Sequence, residues 1–164
     1  MALSTLSNLA DVTLSGGLYV GGTGSANYLD DYEEGNWTCT PSDASGNNSS
    51  TTASGTYTKI GNTVHLKLSL LSDIDTTGLT SGDAFRLNGL PFAVNGGSYA
   101  GSCTNNNVTY TVGRTQVNPR ALNAQTYFVL SSQGSGVSSG TTIVSQISSG
   151  VTDITSISIV YQTA

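Results

Sequence analysis

The sequence predicts an all-β fold, an antiparallel β-sandwich of jelly-roll type, preceded by an extended N-terminal arm. Turn signals rich in Gly, Asn, Ser and Asp recur about every 8–14 residues, and no helical pattern separates them. Ser and Thr number 24 and 23 of the 164 residues, and Thr suits a pleated, half-exposed strand. Short strands that recur without helices are typical of sandwiches and barrels.

The composition limits both the core and the kinds of partner. Leu, Val, Ile and Phe number 15, 12, 7 and 3, which predicts one folded domain with a thin core. The formal net charge is −5, and five scattered Lys and Arg residues form no phosphate-tracking patch, so nucleic acid is not an expected partner. No apolar run approaches the roughly 20 residues that span a membrane, and no signal-peptide pattern opens the chain. Membrane insertion is therefore not expected.

Residues 1–27 form the predicted arm. A segment this rich in Gly and Ser cannot bury its own apolar side chains, so we expect them to contact other subunits or a larger particle. Folding of the arm back onto its own domain is the alternative. The apolar arm residues, spaced by three or grouped between glycines, are Leu3, Leu6, Leu9, Leu18, Tyr19 and Val20.

The folded domain is predicted to span residues 28–164 and to begin with a collar, YLDDYEEGNWTCTP at residues 28–41. The collar holds four of the ten acidic residues and the only Trp. We expect Trp37 to start the core, and the acids to stay solvated or to meet a neighbouring subunit. A cation site and a catalytic carboxylate pair are the alternatives. The collar residues predicted to contact other subunits or the particle are Tyr28, Asp30, Asp31, Tyr32 and Trp37.

The strongest strand signal is GTYTKIGNTVHLKLSLL, which starts at residue 55. Gly61-Asn62 marks a two-residue turn, and Val64, Leu66 and Leu68 alternate with polar residues after it. The pattern predicts a hairpin with one buried and one solvated face. His65 falls on the polar face, so we expect a solvated strand residue rather than a ligand or a base.

Further strands are predicted from apolar runs and from alternation. They are AFRLNGLPFAV (84–94), VTYTV (108–112), TYFVL (126–130), TTIVSQI (141–147) and ITSISIVYQ (154–162). The continuous run 126–130 indicates a strand buried on both faces, and Ile157, Ile159 and Tyr161 share one face of the last strand. The segments 42–55 and 131–140 are predicted loops, and 117–120 is a predicted break.

No catalytic constellation is predicted, and the chain is not expected to be an enzyme. His65 lacks a partner for a nucleophile triad, and two cysteines with one His make no zinc site, so no cofactor or metal is expected. A disulfide between Cys39 and Cys103 stays open, although no secretory signal supports it. Residues that could stack on or hydrogen-bond to a glycan are Tyr99, Asn105, Asn106 and Asn107, with ordinary turn residues as the alternative.

Several segments together resemble one family. LDDYEEGNWTCTP is similar to a motif, L-D-D-Y-E-E-G-T-W-T-P, near the start of the C-terminal domain of tailed-bacteriophage and prophage fibre proteins. GLYVGGTGSAN resembles the segment that leads into it, GTYTKIGNTVHLKL the family's Y-T-K-I-G-N hairpin, GLPFAV its G-L-P-F strand and ISIVYQTA its closing strand. The resemblance covers most of residues 17–164. Asn36 stands where Thr is usual, and Cys39-Thr40 moves the Pro back by two positions.

The resemblance implies a homotrimeric virion component with an outward-facing β domain. Only 27 residues precede the collar, so a long fibre shaft is not expected. The expected protein is a short trimeric fibre or decoration knob on the surface of a phage particle, held to capsid or tail proteins by its arm. Attachment to host-surface glycan is an expected further role. A capsid cement protein, which stabilises the head shell without a receptor, is the alternative.

Overall fold

The computed structural model describes residues 17–25, 28–29 and 31–164, and its regular structure there is almost entirely β-strand. A 3-10 helix spans Val144–Gln146, and no helix in these ranges is long and apolar enough to cross a membrane. The strands are β1 (Leu18–Tyr19), β2 (Tyr28–Leu29), β3 (Tyr32–Ser42), β4 (Ala53–Ile60), β5 (Thr63–Leu71), β6 (Arg86–Asn88), β7 (Tyr99–Ala100), β8 (Ser102–Asn106), β9 (Gln116–Ala121), β10 (Tyr127–Gly134), β11 (Val137–Thr141) and β12 (Asp153–Gln162).

The strands from β3 onward pair antiparallel in two layers around one core. The first layer has the order β3-β4-β5-β12-β8, and the second has the order β3-β6-β10-β9-β7 with β11 added to β10. The strand β3 belongs to both layers, because it pairs with β4 over residues 32–39 and with β6 over residues 40–42. The predicted class, an all-β antiparallel sandwich, is confirmed.

The two layers meet at β3 and also at the segment between β7 and β8, so the sheet is close to a closed barrel. Strand β7 pairs with β9 in one layer, β8 pairs with β12 in the other, and Gly101 alone separates them. The Gly101 N–H donates to the Pro119 carbonyl oxygen at 2.8 Å. A Cβ at this position would lie 2.2 Å from the Ser158 carbonyl oxygen, so the corner has room only for glycine.

The core confirms the strongest sequence patterns. The hairpin β4–β5 turns at Gly61-Asn62, as predicted. Ile157, Ile159 and Tyr161 are buried on one face of β12. Residues 128–132 of β10 are all buried, so this strand is covered on both faces, as its continuous apolar run indicates.

The strand predicted at 108–112 is wrong. Val108 forms one isolated bridge to Ile147, and the residues that follow form no strand. The Gln146 side chain donates to the Thr109 carbonyl oxygen and to Thr111 Oγ1, each at 3.0 Å. Because these groups bond to the 3-10 helix, they are not available to a sheet neighbour. The prediction at 141–147 fails at the same place, since the chain leaves β11 at Thr141 and enters that helix.

Two segments predicted as irregular are strands. The break predicted at 117–120 lies inside β9, and the loop predicted at 131–140 holds the end of β10, a turn at Gly136 and most of β11. The Pro119 carbonyl oxygen faces Gly101 and not β10. The nitrogen of a strand residue lies on the same edge as its carbonyl oxygen, so the missing N–H of Pro119 costs no hydrogen bond to β10. Conversely, the strand predicted at 84–94 is reduced to the three residues of β6.

Candidate functional site

The collar and the following hairpin form one paired unit. Antiparallel pairing sets collar residues on β3 opposite residues of the YTKIG segment on β4. The opposed pairs are Tyr32–Ile60, Glu33–Lys59, Gly35–Tyr57 and Trp37–Gly55. The collar and the YTKIG segment therefore contact each other residue by residue.

The inner face of this unit carries a charge pair. Lys59 forms an ion pair with Asp31 and is only 8% exposed, although the Asp31 side chain is about half exposed. The Tyr57 hydroxyl donates to Glu33 Oε1 at 2.5 Å, and this hydrogen bond raises the pKa of the Tyr57 phenol. Two of the collar acids are thus held by β4 of their own chain.

An aromatic cluster packs beside the charge pair. The Tyr57 ring covers Gly35, where a Cβ would lie 2.9 Å from the ring. Phe92 meets Tyr57 edge to face at 5.4 Å between ring centroids, and Lys59 Nζ lies 5.6 Å from the Phe92 centroid. Tyr161 donates its hydroxyl to the Phe92 carbonyl oxygen at 3.2 Å. Burial raises the pKa of Tyr161 to about 12.

Trp37 begins the core, as predicted. Its side chain is 4% exposed, its Nε1 donates to the Lys67 carbonyl oxygen at 3.2 Å, and its ring meets Phe128 edge-on at 6.3 Å. Gly55 makes this placement possible, because a Cβ there would lie 2.3 Å from Trp37 Nε1. The ring therefore lies directly over the backbone of β4.

The outer face of the first layer is a shallow polar depression. Tyr32 donates to Glu34 Oε2 at 2.9 Å, which raises the pKa of the exposed Tyr32 phenol. A hollow of about 430 Å³ and an adjoining one of about 350 Å³ are lined by Glu34, Gly35, Asn36, Thr56, Tyr57, Thr58, Ile60, His65 and Lys67. His65 is exposed on β5, on the polar face predicted for it. Among the residues that the structure describes, no cluster of His, Cys, Asp and Glu suits a metal ion.

Part of the predicted arm forms a separate hairpin with the first collar residues. Strand β1 pairs with β2, and the rings of Tyr19 and Tyr28 lie 4.8 Å apart. Leu18, Tyr19 and Val20 remain about half exposed, at 48%, 51% and 58%. They form an apolar surface that the described part of the chain leaves uncovered. Four other predicted contact residues, Leu3, Leu6, Leu9 and Asp30, lie outside the described residues. Of the remaining three, Asp31 and Tyr32 are exposed, whereas Trp37 is in the core.

The predicted glycan residues are engaged in hydrogen bonds within the chain. The Tyr99 hydroxyl donates to the Asn95 carbonyl oxygen at 2.9 Å, and Asn105 Oδ1 accepts from Tyr110 at 2.9 Å. The Asn107 amide donates to the Val151 carbonyl oxygen at 2.8 Å. Asn106 is exposed on β8. A glycan contact at these positions stays a prediction.

The two cysteines are free thiols. Cys39 is fully buried in β3, and burial raises the pKa of its thiol to about 12. Cys103 lies half-buried in β8, 3.5 Å from the Val117 carbonyl oxygen, and burial raises its pKa to about 11. The disulfide left open by the sequence is not formed.

Sequence reasoning missed two features. One is that Trp37 can pack over β4 only because residue 55 is glycine. The sequence would indicate this only if the pairing of the collar with the hairpin were already known. The other lies on the outer face of the second layer, where Arg86 and Arg120 flank Val129. Because the segment around Arg120 is predicted as a break, the sequence does not show its register with β10.

Comparison with known proteins returns no significant match, whether to a family model, to a curated sequence or to a solved structure.

Proposed function

We propose that this chain is a structural protein of a tailed-bacteriophage virion, a short trimeric fibre or decoration knob on the particle surface. The observation that carries the proposal is the pairing of the collar with the YTKIG hairpin. Residues in the collar and in the hairpin are joined by an ion pair between Asp31 and Lys59 and by a hydrogen bond between Glu33 and Tyr57. The two motifs are therefore parts of one structural unit. Their joint presence supports the family resemblance more strongly than either motif would alone.

The β1–β2 hairpin supports attachment to a larger assembly. Leu18, Tyr19 and Val20 present apolar side chains to solvent on a two-stranded sheet, which is marginal by itself in water. Exposed apolar groups of this kind mark protein contact sites. In the proposed virion they contact capsid or tail proteins or the neighbouring copies of a trimer.

A capsid cement protein without a receptor is the second candidate. The observation that favours it is the internal bonding of Tyr99, Asn105 and Asn107, which leaves those side chains less available to a glycan. Cement function requires only the arm and a stable domain.

Phage particles that lack the protein distinguish the two candidates. A fibre or attachment knob predicts loss of host adsorption with unchanged resistance of the particles to heating and osmotic shock. A cement protein predicts normal adsorption and earlier release of DNA under those stresses. If both properties are unchanged and the chain is absent from purified wild-type particles, the virion proposal is wrong.

A further inference from the structure

Two arginines flank one buried valine on the outer face of the second layer. Arg86 on β6 and Arg120 on β9 are both directly opposite Val129 on β10. Directly opposed residues point to the same side of a sheet, and Phe128 and Leu130 on the other side are in the core. With strands about 4.8 Å apart, the two arginine Cα atoms are about 10 Å apart, so both guanidinium groups can reach one small ligand.

Among the residues that the structure describes, neither arginine has an ion-pair partner. The ion pair found in residues 17–25, 28–29 and 31–164 joins Lys59 to Asp31, and the Nε atoms of Arg86 and Arg120 are buried without a hydrogen-bond acceptor. The Arg86 guanidinium lies 4.4 Å from the Tyr127 ring centroid, which restricts its orientation. Ser42, opposite Arg86 on β3, is 1% exposed, and its Oγ also lacks a partner.

The acidic collar of a second copy is not a suitable counter-charge. Arg86 is opposite the last residue of β3, whereas Glu34 is near its start, eight residues or about 26 Å away along the strand. In a ring of copies that stand side by side, the acidic residues of each collar are level with those of the other collars and far from the arginines. A side-by-side ring therefore brings no collar acid to the two arginines, which leaves them open to an anionic ligand.

The groups around the arginines suit a sugar. Asn118 is opposite Ser131 in the row beside Arg120. Asn88 is opposite Tyr127 in the row beside Arg86, where its amide donates weakly to Asn48 Oδ1 at 3.4 Å and its Oδ1 is left to accept. Amides and hydroxyls are the groups that hydrogen-bond to sugar hydroxyls, and the arginine fork matches the planar pair of oxygens of a carboxylate or a phosphate.

We propose that Arg86 and Arg120 bind an anionic saccharide, one that carries a carboxylate or a phosphate group. The site itself depends only on these residues. Its use in attachment to a bacterial surface rests on the proposed function. Arg86 is opposite Ser42 at the end of β3, so the site is far along that strand from the arm and from the acidic residues of the collar.

A titration followed by amide NMR tests the site in the full chain. The probes are glucuronic acid, glucose 6-phosphate, glucose and inorganic phosphate, against the unaltered protein and the variants R86Q, R120Q and R114Q. Arg114 is the matched control, because it carries the same charge but lies on the other side of the sheet from Arg86 and Arg120, against Gly140 of β11. Its guanidinium donates to the Ser138 carbonyl oxygen at 3.2 Å. We expect at least one anionic sugar to bind, at least tenfold more weakly in R86Q and R120Q and equally well in R114Q.

Each outcome decides the proposal. Binding of glucuronic acid alone assigns a carboxylate sugar, binding of glucose 6-phosphate alone assigns a phosphate sugar, and either supports the site. Equal binding of glucose, or of inorganic phosphate, overturns it, as does no binding or an equal loss in R114Q. If R86Q does not fold, R86K keeps the charge without the fork, and its affinity is expected to lie between those of the unaltered protein and R120Q. A chain that binds the sugar but is absent from particles refutes only the proposed virion role.

Discussion

Gly55 shows how one missing side chain positions the start of the core. A Cβ at Gly55 would lie 2.3 Å from both Trp37 Nε1 and the Lys67 carbonyl oxygen, which are joined by a hydrogen bond. The substitution Gly55→Ala therefore displaces the indole or the strand. We expect a loss of roughly 1–3 kcal/mol in the free energy of unfolding, the range for overpacked cores, measured by urea denaturation.

Gly82→Ala is the matched control for this substitution. A Cβ at Gly82 would have no neighbour within 4 Å, and this residue does not have a positive φ. Its substitution is expected to change the free energy of unfolding by less than about 0.5 kcal/mol. Equal effects at Gly55 and Gly82 would contradict the role given to the Trp37 contact.

Asp75 connects three loops and predicts acid sensitivity. Hydrogen bonds from Thr77, Ser50 and Ser149 lower the pKa of Asp75 to about 2 from its ordinary 3.8. A carboxylate with a lowered folded-state pKa stabilises the fold above its unfolded pKa, and this contribution is lost as the pH falls through the folded value. The stability difference between the unaltered protein and Asp75→Asn should therefore shrink between pH 4 and pH 2.

Urea midpoints measured from pH 6 to pH 2 test this prediction. Asp73→Asn is the control, because Asp73 has a φ of 49° that Asn also tolerates, and no described hydrogen bond ends on its carboxylate. If the effect of Asp75→Asn is the same at pH 6 and at pH 2, the hydrogen bonds do not stabilise the ionised form.

At the scale of elements, the collar is held to β4 by the ion pair between Lys59 and Asp31, the residue before β3. Lys59→Met keeps most of the side-chain volume but leaves Asp31 without its cation. Hydrogen bonds to charged groups are worth roughly 1.5–3 kcal/mol, and we expect a loss of that order. The measurement is a double-mutant cycle with Asp31→Asn by urea denaturation.

Lys67→Met supplies the comparison, because Lys67 is exposed on the polar face of the neighbouring strand β5. Its effect is expected to stay within about 0.5 kcal/mol. A coupling energy near zero between Lys59 and Asp31 would show that the pair does not hold the collar to the hairpin.

The elements that could be predicted are those with strong alternation or a continuous apolar run. The hairpin β4–β5, the buried strand β10 and the inner face of β12 all follow from side-chain pattern. Strand β9 could not be predicted, because Pro119 suggests a break unless its edge-facing nitrogen is known. The segment 108–112 has the pattern of a strand, but its backbone is bonded by Gln146, a tertiary contact that periodicity does not show.

The candidate site was only partly predictable for the same reason. Trp37 and the collar acids are evident from composition, whereas their partners Gly55, Tyr57 and Lys59 follow only from the strand register. The Arg86–Arg120 row requires three strands to be aligned at once, and one of them was not predicted as a strand.

At the scale of the whole molecule, the features divide between two ends. The apolar β1–β2 hairpin and the acidic residues of the collar are at the start of β3, and the arginine row is beside its end. An assembly that uses the first end for attachment leaves the second end in solvent. This polarity is what a knob mounted on a particle requires.

The proposed trimer has a direct solution test. Light scattering of the full chain should give a mass three times that of the 16.8 kDa protomer. Replacing Leu18 and Tyr19 by Ser removes exposed apolar area without touching the core, so any loss of trimer then assigns the contact to the hairpin. A trimer that persists in this variant places the contact elsewhere, and a monomer of the unaltered chain contradicts the trimer.

Electron cryo-microscopy of purified phage particles tests the central claim most directly. We expect three-fold density on the particle surface that fits three copies of the sandwich. The β1–β2 hairpin should face the particle, and the Arg86–Arg120 face should point to solvent. Absence of the chain from the particles, or an orientation with the arginine face against the particle, would contradict the account.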